Sequence, residues 1–153
     1  MRARGFEVVA PAHRHHPDVQ ITLPRRSSRH SAGYDFFAPA GFILNPGERT
    51  TLTTDVKCFM LPDEYLCVHV RSSVGARAVM ITNTVGIVDA DFYSNIQNDG
   101  NIRILLHNIG VDVLTVEAGD RIAQGIFCKY LLADDDSLET GTVRQGGYGH
   151  SGR

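Results

Sequence analysis

The sequence predicts an all-β protein. Apolar residues come in short runs separated by turn signals, and no run sustains a helical period. Where a pattern is sustained, it is the strand period of two. Short strands spaced roughly 8–12 residues apart point to a sandwich, a jelly roll or a barrel. The chain has 153 residues, the length of one domain. Such a chain buries about 68–70% of its unfolded surface, enough for a true core.

The elements follow in order. Phe6 and the valines after it make a first strand. Phe42-Ile43-Leu44 makes another, stopped by Asn45-Pro46-Gly47. Residues 51–56 alternate, with Leu52 and Val56 on one face. Leu61-Pro62-Asp63-Glu64 is a turn, and residues 65–70 alternate again, with Leu66, Val68 and Val70 together. Residues 72–79 could form a short helical segment. Strands at 102–106 and 111–116 precede the turn Ala118-Gly119-Asp120, and 122–132 is the last long strand. Residues 133–143 are acidic and poor in apolar groups, so they read as a mobile connector to a glycine-rich terminus. The expected organisation is a barrel domain over 1–132, with 133–153 as connector and arm.

Charge and cysteine content exclude several classes. The formal net charge is −2, so no bulk basic field recruits nucleic acid. The cations are 13 Arg and only two Lys, a bias that suits forked contacts to phosphate but equally follows from genome base composition. Cys58, Cys67 and Cys128 form no C-x-x-C pair, so neither a disulfide framework nor a zinc site is indicated. No apolar run approaches the ~18 residues of a membrane span, and no signal segment is evident. A reducing, cytoplasmic setting is expected. His13, His15 and His16 lack the further ligands that a metal site needs.

Five stretches could carry chemistry. Ser31-Ala32-Gly33-Tyr34-Asp35 brings small residues to an acid. Arg71-Ser72-Ser73 ends a strand and suits phosphate oxygens, although a plain serine cap reads the same. Arg26-Ser27-Ser28 repeats that tripeptide in a loop with no strand feeding it, and is set aside. Asn83 with Gly86-Ile87-Val88-Asp89-Ala90-Asp91 leads into Phe92 and Tyr93; on a continuous strand Asp89 and Asp91 would share a face. Gly119-Asp120-Arg121-Ile122-Ala123-Gln124 is a turn entering a strand. Gly146-Gly147-Tyr148-Gly149-His150-Ser151-Gly152 is either a loose tail or a backbone cradle for phosphate.

In this order, over about residues 5 to 152, the five stretches resemble the motifs of the trimeric deoxyuridine triphosphatase (dUTPase) family. The resemblance implies a distorted jelly-roll barrel, a homotrimer with shared active sites, and hydrolysis of dUTP to dUMP and pyrophosphate with Mg²⁺. Asp89 then resembles the general base, and Asp35 and Asp91 supporting acids. Arg71, Ser72, Ser73, Gln124, Arg144, Gly149, His150 and Ser151 would hold phosphates. Asn83, Gly86, Ile87, Val88, Phe92, Tyr93, Arg103 and Tyr148 would hold uracil and deoxyribose. No direct protein ligand to Mg²⁺ is implied, since this ion keeps its waters.

Three features depart from the family pattern. Phe92 stands at the sugar-gating position usually held by tyrosine, with Tyr93 following. About six inserted residues lie between Phe92 and Gly100; this polar segment is expected to be an extended hairpin tip. Residues 93–99 could dock a regulatory protein partner. The fifth motif is one residue short after Arg144. Two other functions compete: a dCTP deaminase-related enzyme, which needs a glutamate that residues 102–108 lack, and a dUTPase-like regulatory binding protein.

Overall fold

The strand pattern is realised as eleven short strands and one helical turn in a computed structural model that describes residues 2–139 and 141. Strand β1 is Gly5–Val8, β2 is Tyr34–Phe37, β3 is Phe42–Leu44, β4 is Arg49–Thr53 and β5 is Val56–Phe59. Strand β6, Glu64–Val70, runs into α1, Ser72–Gly75. Then come β7, Val79–Ile81, β8, Gly86–Asp89, β9, Arg103–Asn108, β10, Leu114–Val116, and β11, Arg121–Lys129. Every strand pair is antiparallel, in sheets ordered β2-β11-β6-β8, β4-β9-β7, β1-β5 and β10-β3. The architecture is all-β and jelly-roll-like. No helix among the described residues is long and apolar enough to cross a membrane.

Alternation places the core. Leu66 and Val68 of β6, Ile104 and Leu106 of β9, and Ile122 and Ala123 of β11 are buried together with Phe36 and Leu44. Each large side chain contributes about 1.5–3 kcal/mol by leaving water. The expected strand over 51–56 breaks at Asp55, whose φ of 55° ends β4 before β5 begins, while Leu52 and Val56 are both buried as the alternation predicts. The carboxylate of Asp55 is fully buried and accepts the N–H groups of His15 at 2.8 Å and His16 at 2.7 Å and the Asn101 amide at 2.9 Å. These bonds pin the N-terminal loop to the barrel. The helical segment is one turn rather than the whole of 72–79, because Ala78 takes φ 56° and re-enters extended chain at β7.

The inserted segment also departs from expectation. It is a compact turn and not an extended tip. The Asn95 side chain donates to Phe92 O and to Asn98 Oδ1, both at 2.7 Å. Asp99 accepts the Ala10 N–H at 2.7 Å and receives Lys57 Nζ at 2.9 Å. Polar residues that satisfy their own turn can be buried, as Asn95 and Asp99 are. Ile96 stays outside, 82% exposed.

Candidate active site

The stretch at 83–92 is built around an edge strand. Strand β8 pairs with β6 on one side, with Asp89 opposite Tyr65 and Gly86 opposite Val68. Its neighbour in sequence, β7, pairs instead with β9. The two strands therefore splay apart after the turn at Asn83 and Thr84, where Thr84 takes φ 66° and Val85 N–H donates to Asn83 O at 2.8 Å. Between them lies a cavity of about 500 Å³. Asn83, Gly86, Ile87, Val88, Asp89, Phe92 and Arg103 all line it, over an apolar floor that includes Val68, Ile81, Ile102 and Ile104. The outer edge of β8 pairs with no further strand among the described residues, so backbone N–H and C=O groups of residues 86–88 can read the edge of a planar polar ring.

Asp89 ends β8, and a 3-10 turn over Ala90–Phe92 follows. That turn breaks the alternation expected across Asp89, Ala90 and Asp91. Both acids are nonetheless exposed and share a second hollow with Met60, Pro62, Tyr130 and Leu138. The turn drives Phe92 inward, to 6% exposure, so that its ring is part core and part cavity wall. Tyr93 goes elsewhere. Its hydroxyl donates to Glu7 Oε2 at 2.6 Å and Lys57 Nζ sits 4.9 Å from its ring centre. Of the two aromatic candidates, only Phe92 lines the cavity; Tyr93 closes the inserted turn onto β1.

A second cluster forms where β2, β6 and β11 meet. Asp35 is buried and receives Arg71 Nε at 3.0 Å on Oδ1 and Arg121 Nη1 at 3.4 Å on Oδ2. Gln124 is the cross-strand partner of Asp35 on one side and of His69 on the other. Arg71 leaves the end of β6 with its N–H bonded to Ile122 O at 3.0 Å, and Ser72 and Ser73 follow on the exposed first turn of α1. The first, second and fourth stretches are thus one cluster of cations, hydroxyls and an amide, which can grip an anion.

The structure separates Asp35 from the other two acids: Asp35 belongs to this cluster and Asp89 and Asp91 to the β8 side. Arg144, Tyr148, Gly149, His150 and Ser151 lie outside the described residues. The loop set aside as uninformative proves adjacent, since Arg25, Arg26 and Ser27 line a hollow with Asp35 and Arg121. Arg25 O accepts the Asp35 N–H at 2.9 Å, a bridge that no local pattern reveals. Arg121 was visible inside its motif, but its pairing with Asp35 needs the β2–β11 register. No cluster of three or more His, Cys, Asp or Glu able to hold a metal exists among the described residues.

The dUTPase family model matches residues 19–152. The chain belongs to the dUTPase family. It is 35% identical, over 99% of both chains, to the deoxyuridine 5'-triphosphate nucleotidohydrolase of Lactococcus lactis subsp. lactis. It is 33% identical to the enzyme of that name from Corynebacterium glutamicum, over 89% of this chain and 91% of the other. Among solved structures, the crystal structure of dUTPase from Streptococcus mutans superposes with a TM-score of 0.72 at 32% identity, covering 85% of this chain and 98% of that one. All five stretches lie within the family match.

Proposed function

We propose that the chain hydrolyses dUTP to dUMP and pyrophosphate. The observation that carries the reading is the β8 edge: a cavity sized for a nucleoside, walled by exposed backbone and Phe92, with Asp89 at its rim. Uracil would pair with backbone groups between Asn83 and Val88. A site built for one hydrogen-bond pattern rejects another base strongly, because unmatched buried groups are costly. The deoxyribose would rest on Phe92, which leaves no room for a 2′-hydroxyl. Arg103 would approach the same nucleoside from β9.

In the reaction, Asp89 orients a water and takes its proton as the water oxygen bonds to the α-phosphorus. The bond from that phosphorus to the α,β-bridging oxygen breaks, and the electron pair leaves with pyrophosphate. Arg71, Ser72, Ser73 and Gln124 would hold the charged oxygens, together with Arg144, Gly149, His150 and Ser151 of the terminal motif; Tyr148 would cover the base. Positioning and charge stabilisation supply most of the catalysis in such a reaction. Mg²⁺ would be held by triphosphate oxygens and its own waters, with exposed Asp91 as an acceptor for those waters and Asp35 holding Arg71 and Arg121. Bound there, the ion would neutralise phosphate charge.

Within one chain, Arg71 and Gln124 line no part of the β8 cavity. The family resemblance implies a homotrimer, and the reading adopts it, with the phosphate cluster of one copy meeting the base cavity of another. A regulatory partner on residues 93–99 is a second reading, supported only by exposed Ile96. Asp89→Asn tests the mechanism. It should retain binding of a non-hydrolysable dUTP analogue within a few-fold and lower kcat by about 10²–10⁴-fold. An unchanged kcat would remove Asp89 from its role.

A further inference from the structure

Gly33 is buried and stands immediately before β2. Its φ lies outside the left-handed region, so backbone conformation does not demand glycine there. The space around it does. Strand alternation puts residue 33 on the same face as Asp35, and Gln124 is the cross-strand partner of Asp35. The Gln124 side chain leans diagonally onto Gly33. A Cβ at position 33 would fall 3.1 Å from Gln124 Cδ and 3.2 Å from Gln124 Cβ, and would overlap Gln124 Oε1 outright. The collision runs from the tip of the side chain to its root. Turning the terminal amide over exchanges oxygen for nitrogen at the same place and relieves nothing. The Gln124 amide must swing out of its place, and the contacts at Cδ and Cβ must give by a few tenths of an ångström.

We propose that Gly33 is a positioning residue for the phosphate cluster. Its missing side chain is the slot that holds Gln124 beside Asp35, and so beside the arginines that Asp35 grips. Glycine in the first stretch and glutamine in the fourth then act as one unit, although neither motif alone shows the coupling. The proposal rests on the reading of Gln124 as a phosphate ligand, and the test separates the two claims.

The experiment compares Gly33→Ala, Gln124→Ala and the double variant in dUTP turnover. It also follows the ¹⁵N signals of the Gln124 side-chain amide, assigned by their loss in Gln124→Ala. Gly33→Ala should displace those signals and lower kcat/KM about 10–100-fold, mainly through KM, the loss expected when a hydrogen bond to a charged group is removed. In the double variant the amide is gone and only the alanine Cβ remains, 3.2 Å from the added Cβ at position 33. The kcat/KM of that variant should equal that of Gln124→Ala within about threefold, since residues acting as one unit are not additive. If Gly33→Ala does not fold while the double variant does, the collision is confirmed by its relief. Unshifted Gln124 signals in Gly33→Ala, additive losses in the double variant, or a double variant that also fails to fold would each overturn the proposal. If Gln124→Ala turns over dUTP normally, the phosphate role of Gln124 falls, and the amide signals alone still decide whether Gly33 places that side chain.

Discussion

Asp35→Asn removes one negative charge from between two arginines. Asp35 is 5% exposed, and its oxygens lie 3.0 Å from Arg71 Nε and 3.4 Å from Arg121 Nη1. Breaking a fully buried pair costs about 3–5 kcal/mol, whereas an exposed pair is worth under about 1 kcal/mol. The Arg71 side chain is 26% exposed and that of Arg121 45%, so water screens the second pair more than the first. The asparagine also keeps some hydrogen bonding. Taken together, the substitution should cost about 2 kcal/mol. For a domain of this size that is roughly a 4–8 °C fall in Tm. Thermal and urea unfolding at pH 7 measure it, at one fixed protein concentration because association shifts apparent stability. The same variant should lose kcat/KM for dUTP through KM, because Arg71 is no longer held in place. Unchanged stability and unchanged KM together would refute the idea that Asp35 clamps Arg71. A stability loss with normal kcat/KM would leave Asp35 structural and take Arg71 out of substrate binding.

Two further predictions concern the scaffold. Burial alone pushes the Asp55 carboxyl up, but the N–H groups of His15 and His16, the Asn101 amide and the charge of His16 outweigh it and hold the carboxyl below its ordinary value. A carboxyl held lower in the folded state stabilises fully above its unfolded pKa of about 4, and the contribution is lost as pH falls through the folded value. Asp55→Asn should therefore cost about 2–3 kcal/mol at pH 7 by urea unfolding, with the gap from the parent protein narrowing below about pH 4; an equal gap at both pH values would contradict this. Burial pushes the Cys58 thiol up to about 12, which leaves about 10⁻⁴ of it as thiolate at pH 8. Under native conditions iodoacetamide should label Cys58 far more slowly than half-buried Cys67 and Cys128, by mass spectrometry, and urea should erase the difference. Rapid native labelling of Cys58 would show that β5 opens readily.

The strands were legible where a two-residue period met a clear stop, as at Leu66, Val68 and Val70 before Arg71. They were misplaced where one residue reverses the backbone. The break at Asp55 follows from its contacts to His15, His16 and Asn101, which lie far away in sequence and leave no local trace. The same holds for the inserted segment: its polarity resembles a solvated tip, yet Asn95, Asn98 and Asp99 spend that polarity on one another and on Ala10 and Lys57. For the site, the residues at 83–89 of the β8 cavity are near neighbours on a splayed hairpin and stood together in the sequence, whereas Arg103 reaches the cavity from β9. The cluster around Asp35 was only half visible. Asp35, Arg71 and Gln124 stood out singly, but the ion pair of Arg121, the proximity of Arg25 and the slot at Gly33 all depend on strand register. Ungapped alignment favours Phe92 over Tyr93 as the gate, and the 3-10 turn sends Phe92 inward to the cavity and Tyr93 toward Glu7.

Pyrophosphate release by the purified protein from dUTP, dCTP, dTTP and UTP, each with Mg²⁺ and with excess EDTA, tests the account most directly. The β8 edge and the Phe92 gate predict release from dUTP with Mg²⁺, little from the other three nucleotides, and loss of the dUTP reaction in EDTA. Comparable release from UTP would contradict the gate, ammonia from dCTP would indicate deamination, and no release from dUTP would contradict the central claim.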